Sequence, residues 1–171
     1  AARADKLSSI FIVNKNSKIT SVNDIKGKTI ITPPEVSAVA ILTNNALKKM
    51  GLDPDKDVKR IYGQSHFSCM QQVLIGAADI CGTAKLPLKY FEEYKMANRF
   101  RIIFESESIP HSLYIVHKRV PEADREVLRK TILGWAKTKP TLLMKKIDMS
   151  SNFVKITDAN GINTALVTAQ F

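Results

Sequence analysis

What most restricts this chain is a regular alternation of short β-branched runs with amphipathic helical segments, punctuated by glycines. Residues 8–13, SSIFIV, read as a strand, and Asn14 to Ser17 supply a turn. Ser21 to Ile25 read as a short capped helical turn, Gly27 stops it, and strand 28–32 runs into Pro33 and Pro34. Helix 37–50 follows, with Val39, Leu42, Ala46 and Met50 stepping by three, four and four, and Gly51 stands where a C-terminal glycine cap belongs. The same unit then recurs. Strand 58–62 leads to helix 66–75, whose predicted buried stripe is Phe67, Met70 and Leu74 and whose stop is Gly76. Strand 79–83, helix 86–96 (Leu88, Phe91 and either Tyr94 or Lys95) and strand 101–105 complete the series. This order predicts an α/β fold: a three-layer lobe with a mostly parallel central sheet and helices on both faces.

After Ser106 the chain runs as an extended segment broken by Pro110, and then begins a helix, 121–137, with Pro121 at the favoured first position. Its predicted stripe is Val127, Leu128, Ile132 and Trp135; Pro140 ends it, a short helix 141–147 follows, and 148–171 are weakly patterned. The expected organisation is an α/β lobe over 1–118 and C-terminal helices over 119–171.

A chain of 171 residues, 44% of them hydrophobic, buries a real core without a disulfide framework or metal staple. Lys and Arg number 26 against 16 Asp and Glu, a formal charge of +10, and such an excess attracts anionic partners. Nucleic-acid binding would need those cations clustered and interleaved with aromatics or glycine-rich loops. Here they are scattered, and the denser stretches, 85–101 and 118–146, contain Glu92, Glu93, Glu122 and Glu126. We therefore expect a solvated basic surface and no nucleic-acid partner. No window approaches 18 apolar residues. No basic and apolar leader stands at the start, so a signal peptide is expected to be absent or already removed before Ala1.

Three places carry candidate chemistry, all at strand-to-helix junctions. At 32–39 a helix start offers unpaired amides and a partial positive charge to an anion. Ser37 there either adds a donor or caps its own helix, and Glu35 opposes an anion beside it. Ser65-His66 opens the next helix, and Thr83 with Lys85 follows strand 79–82. In an open α/β sheet, ligands collect at the carboxyl ends of strands, so these junctions are expected to share one edge. Taken singly, His66 also reads as a structural hydrogen-bonder and Lys85 as a solvated cation. Catalysis has little support: the chain carries no G-x-S-x-G, no glycine-rich phosphate loop and no H-E-x-x-H. The spacing of His66, His111, His117 and the cysteines does not suit a metal, and no cofactor is expected. Cys69, three residues after His66, is inert by default, and Cys69 and Cys81 either bridge or stay reduced according to compartment.

Four stretches, SIFIVNKNSKITSVNDIKGKTI (9–30), KKMGLDPDKDVK (48–59), GQSHFSCMQQVLIGAADICGTA (63–84) and ESESIPHSLYIVHK (105–118), resemble the phosphate/phosphonate-type substrate-binding proteins of ABC importers, two-lobed type 2 periplasmic binding proteins. The resemblance implies the periplasmic binding protein-like II fold, no enzymatic activity, an extracytoplasmic location, and capture of a small oxyanion or organic anion. It implies ligand contact for His66 and, at the helix start reading Glu-Val-Ser-Ala-Val, for Ser37, Ala38 and Val39, with Ser65, Thr83 and Ser112 as further donors. Relatives that bind an aminoalkyl phosphonate use two acidic groups where this chain has Leu86 and Ser112, so an amine-bearing ligand is not expected. The family's segment preceding Ser8, most of its first lobe, has no counterpart here. An ABC permease or a sensor kinase is the implied partner, and a helix such as 121–137, lacking its usual neighbours, would turn to self-association. The rival reading is an extracytoplasmic sensory or protein-interaction domain of the same fold with a vestigial cleft.

Overall fold

The computed structural model describes residues 2–93, 96–111, 115–134 and 153–154. The chain divides into two units, one built from 1–7 with 109–170 and the other from 8–108.

The second unit holds a five-stranded sheet of β2 (Ile10–Asn14), β3 (Thr29–Thr32), β4 (Lys59–Tyr62), β5 (Ile80–Thr83) and β6 (Phe100–Glu105), in the order β4-β3-β5-β2-β6. Strand β3 pairs in parallel with β4 and with β5. The ladders of β2 with β5 and β6 are antiparallel. Four strands therefore point one way and β2 runs against them, so the sheet is mixed in its hydrogen bonding. The periodicity of β2 announced a strand but carried no information on direction.

Helices α1 (Ala38–Lys49), α2 (His66–Leu74) and α3 (Lys85–Glu93) form the outer layers. On one face Phe11, Val13, Ile30 and Ile80 of the sheet pack against Ala46 and Leu47 of α1. On the other, Ile10, Ile12, Ile31 and Cys81 of the sheet pack against Met70 and Val73 of α2 and Phe91 of α3. Residues 10 to 13 are wholly buried, because alternate side chains of β2 feed the two opposite cores. A strand covered on both sides needs an unbroken apolar run, which IFIV supplies.

The helix boundaries follow local chemistry. Ser21 caps one turn of 3-10 helix (Val22–Asp24) in a reciprocal arrangement with Asp24. Gly27, Gly51 and Gly76 all have φ near +78°, a left-handed conformation that only glycine adopts cheaply where a helix stops.

One reading of α2 needs correction. Phe67, expected in the buried stripe, is 42% exposed, and the buried residues are Cys69, Met70 and Val73. The stripe is rotated by one position, so His66, one turn before Cys69 and Met70, lies on the sheet side and Phe67 does not. Phe67 instead stacks against Phe91 at 5.2 Å between ring centroids.

The first unit contains a three-stranded antiparallel sheet, β7-β1-β8, from β1 (Ala2–Leu7), β7 (Ile109–His111) and β8 (Phe153–Val154). Helix α4 (Glu122–Gly134) starts directly after Pro121, with Glu122 and Asp124 in its first turn, where the helix dipole favours them. Val127 and Leu128, expected in a buried stripe, are 63% and 43% exposed. Among the described residues this helix is supported by its first-turn acids and by the Arg125–Glu122 and Arg129–Glu126 pairs rather than by burial. Trp135, the helix expected at 141–147 and Ser112 lie outside the described residues. No helix among the described residues is long and apolar enough to cross a membrane.

Candidate functional site at the carboxyl edge of the sheet

Strands β3 and β4 run in parallel register from Thr29↔Lys59 to Thr32↔Tyr62, so the helices that follow them, α1 and α2, start at one edge of the sheet. Strand β5 is parallel too, and α3 starts at that same edge. Three helix N-termini thus share the carboxyl edge, α1 on one face and α2 with α3 on the other. The expected convergence of junctions on an edge is present.

Ser37 is the N-cap of α1, its Oγ accepting from the Ala40 amide at 3.1 Å. The amides of Ala38 and Val39 follow in the first turn, where no intrahelical acceptor exists. Val39 is buried, and its carbonyl accepts from Thr43 Oγ1 at 2.9 Å. Ser65 caps α2: the Ser68 amide donates to Ser65 Oγ at 3.1 Å and the Ser65 amide to Ser68 Oγ at 3.0 Å. Both serines therefore serve as caps; Ser65 Oγ also donates to Ser68 Oγ at 3.5 Å, while Ser37 keeps a hydroxyl proton to donate.

His66 sits at the first position of α2 with Nδ1 at 2.7 Å from Thr83 Oγ1. Burial pushes its pKa below the ordinary imidazole value, because the half-dry surroundings disfavour the cation. Thr83 is wholly buried and its hydroxyl is spent on the imidazole. Behind this bond, Cys69 and Cys81 are joined in a disulfide with Cα atoms 5.7 Å apart. Cys69 is one helical turn beyond His66, and Cys81 is on the same face of β5 as Thr83. Two links, one covalent and one polar, therefore run side by side between α2 and β5.

Lys85 is drawn off toward β6, where its Nζ lies 2.6 Å from Glu105 Oε2. Glu105 also accepts from Ser8 Oγ at 2.8 Å. Lys85, then Ser8, hold the Glu105 carboxyl below its ordinary range. Ile10 pairs with Thr83 on one side and with Glu105 on the other, so these two residues stand in one row across the edge. The acid that opposed an anion at α1, Glu35, accepts from Tyr62 Oη at 3.1 Å, and Arg60 Nη1 donates to that phenol at 3.0 Å. Glu35 is thereby tied to the β4 side, while Arg60 itself is paired with Asp55.

The sequence reading passed over a set of buried hydroxyls. Among the described residues the buried polar side chains are Ser8, Ser9, Thr32, Thr43 and Thr83, all hydroxylic. Ser9 Oγ and Thr43 Oγ1 are 2.7 Å apart, which joins the entrance of β2 to the first turn of α1 through Val39. The signal was there: a Ser-Ser pair before an apolar run, and a threonine inside an otherwise apolar stripe. A separate hollow of about 340 Å³ opens at the opposite edge, lined by Val22, Asn23, Lys26, Met50 and Leu52. Its cation is already matched, since Lys26 Nζ lies 2.9 Å from Asp57. No metal-binding group of three or more His, Cys, Asp or Glu occurs among the described residues.

Helix starts and neutral donors are thus gathered on one edge of a mixed α/β sheet. A family model described as ABC transporter, phosphonate, periplasmic substrate-binding protein matches residues 1–160. The chain belongs to that family. Its fold is shared with XAC2383 from Xanthomonas citri, solved with ATP (15% identity, TM-score 0.78, covering 98% of this chain and 66% of that one). It is shared with PhnD1 from Prochlorococcus marinus in complex with methylphosphonate (17% identity, TM-score 0.71, 95% and 65%). It is shared as well with a binding protein component of an ABC phosphonate transporter from Pseudomonas aeruginosa (20% identity, TM-score 0.68, 96% and 57%). The chain thus spans between about half and two thirds of the length of these structures. No curated protein matches it in sequence.

Proposed function

We propose that the chain is the ligand-binding lobe of a non-catalytic solute-binding protein for ABC-type import, which captures a small oxyanion of the phosphonate class outside the cytoplasm. The observation that carries this reading is His66: its Nδ1 is anchored on buried Thr83, which leaves Nε2 for a ligand beside the first-turn amides of α2. Ser37, Ala38 and Val39 at α1, and Ser65 at α2, add donors on the same edge. Donors fixed at helix starts attract negative charge without a competing cation. The methylphosphonate held by the Prochlorococcus relative supports the ligand class. The Cys69–Cys81 bridge supports an oxidising compartment. An importer permease is the corresponding partner.

The test is calorimetric titration of the protein, wild type and His66→Ala, with methylphosphonate, phosphate, sulfate and acetate. A wild-type interaction with methylphosphonate that weakens at least about tenfold in the variant supports the reading, that factor being the 1.4 kcal/mol expected of one net hydrogen bond to an anion. Absence of heat with all four anions would overturn it in favour of the sensory or protein-interaction role.

A further inference from the structure

We propose that Thr83 is a positioning residue that locks His66 as the neutral tautomer with its proton on Nε2, so that the imidazole meets its ligand as a hydrogen-bond donor and not as a cation.

The argument is a count of protons. Thr83 Oγ1 lies 2.7 Å from His66 Nδ1, and that is the side-chain bond its hydroxyl makes among the described residues. The bond runs one of two ways. With a proton on Nδ1, the imidazole donates, and the Thr83 O–H is left in a wholly buried site with no other partner among the described residues. With Nδ1 bare, the hydroxyl donates to it and no proton is orphaned; what remains unmet is a hydroxyl lone pair, a smaller loss. The second arrangement wins, and it forces the imidazole proton onto Nε2. The two ring nitrogens diverge, so an Nδ1 held against buried Thr83 turns Nε2–H away from it.

Several features keep this geometry from relaxing. Thr83 is β-branched, with a stiff χ1. Its strand neighbour Gly82 is closely covered by Thr43 and Thr32. The Cys69–Cys81 bridge holds α2 on β5 one turn behind the imidazole. Burial opposes the doubly protonated form, in which Nδ1 could no longer accept.

The tautomer stands independently of what binds; its effect on affinity rests on the proposed role of His66. The experiment is a long-range proton–nitrogen correlation spectrum of the protein labelled with nitrogen-15 histidine, with His66 assigned by His66→Gln, beside titration with methylphosphonate. In wild type, His66 should show an unprotonated Nδ1 and a protonated Nε2. Thr83→Val keeps the shape and removes the hydroxyl: it should give a mixture of tautomers and weaken methylphosphonate about tenfold, the scale of one lost positioning bond. Thr83→Ser should restore both. A proton on Nδ1 in wild type overturns the proposal outright, whatever the variants do. So does a Thr83→Val protein whose tautomer, or whose affinity where wild type binds, is unchanged. The expected wild-type tautomer combined with no methylphosphonate binding would uphold the lock and place the failure on the proposed ligand.

Discussion

Gly82 offers a severe test of how this sheet is assembled. It lies between Cys81 and Thr83 in β5, where a Cβ would overlap Thr43 Oγ1 and come within 3.0 Å of Thr43 Cγ2 and 3.2 Å of Thr32 Cγ2. Thr43 cannot swing aside cheaply. It is 1% exposed, its hydroxyl donates to Val39 O at 2.9 Å, and Ser9 Oγ lies 2.7 Å away. Turning it out breaks two buried hydrogen bonds, each contributing about 1 kcal/mol net. Leaving it in place overpacks the site, at about 1–3 kcal/mol. The stiffer unfolded chain returns about 0.4–1 kcal/mol. Gly82→Ala should therefore destabilise the protein by about 1.5 kcal/mol, and at roughly 2–4 °C per kcal/mol for a chain of this size the melting midpoint should fall by about 3–6 °C. Thermal melts followed by circular dichroism read this directly. The same substitution in a Thr43→Ala background should cost less than half as much, since the overlapping atoms are gone. A single variant melting within about 2 °C of wild type, a shift worth less than 1 kcal/mol, would refute the reasoning. An undiminished cost in the Thr43→Ala background would refute it too.

Two further outcomes are expected. The disulfide closes a loop with a sequence separation of 12, so replacing both cysteines by alanine should remove about 3 kcal/mol of stability, and an unchanged urea midpoint would contradict its bridging role. Because the folded pKa of His66 lies below its unfolded value of about 6.5, the unfolded chain binds more protons between the two. The neutral imidazole's contribution is thus complete above about pH 6.5 and is lost as the pH falls toward the folded pKa. The melting midpoint of wild type should drop more steeply than that of His66→Gln between about pH 7.5 and 5.5, and parallel curves would contradict the burial of His66.

Much of the architecture is legible in the amino acids because it is written locally. Ser21, Ser37 and Ser65 mark helix starts, Gly27, Gly51 and Gly76 mark stops, and each falls within three residues of the observed boundary. Strand direction is not local, which is why the reversal of β2 escaped. Phe67, Met70 and Leu74 also step by three and four, so spacing alone does not fix the phase: the buried stripe runs through Cys69, Met70 and Val73 and passes through His66. The site was half legible. The junctions at Ser37, Ser65 and His66 could be named from strand-to-helix order. The part Thr83 plays beneath His66, and the pairing of Lys85 with Glu105, depend on residues brought together by the sheet. Helix α4 shows the opposite failure, since an apolar period says what a face could bury, not what is there to cover it.

The central position of β2 sets an order of events for the emerging chain. Its two neighbours, β5 and β6, are synthesised long after it, and Ile10 finds its places beside Thr83 and Glu105 only at the end. Until then the run Ile-Phe-Ile-Val, destined for two cores at once, is a sticky, unsatisfied segment. Assembly of this unit is consequently governed by pairing between segments distant in sequence, and the stage before β2 finds its neighbours is its most vulnerable.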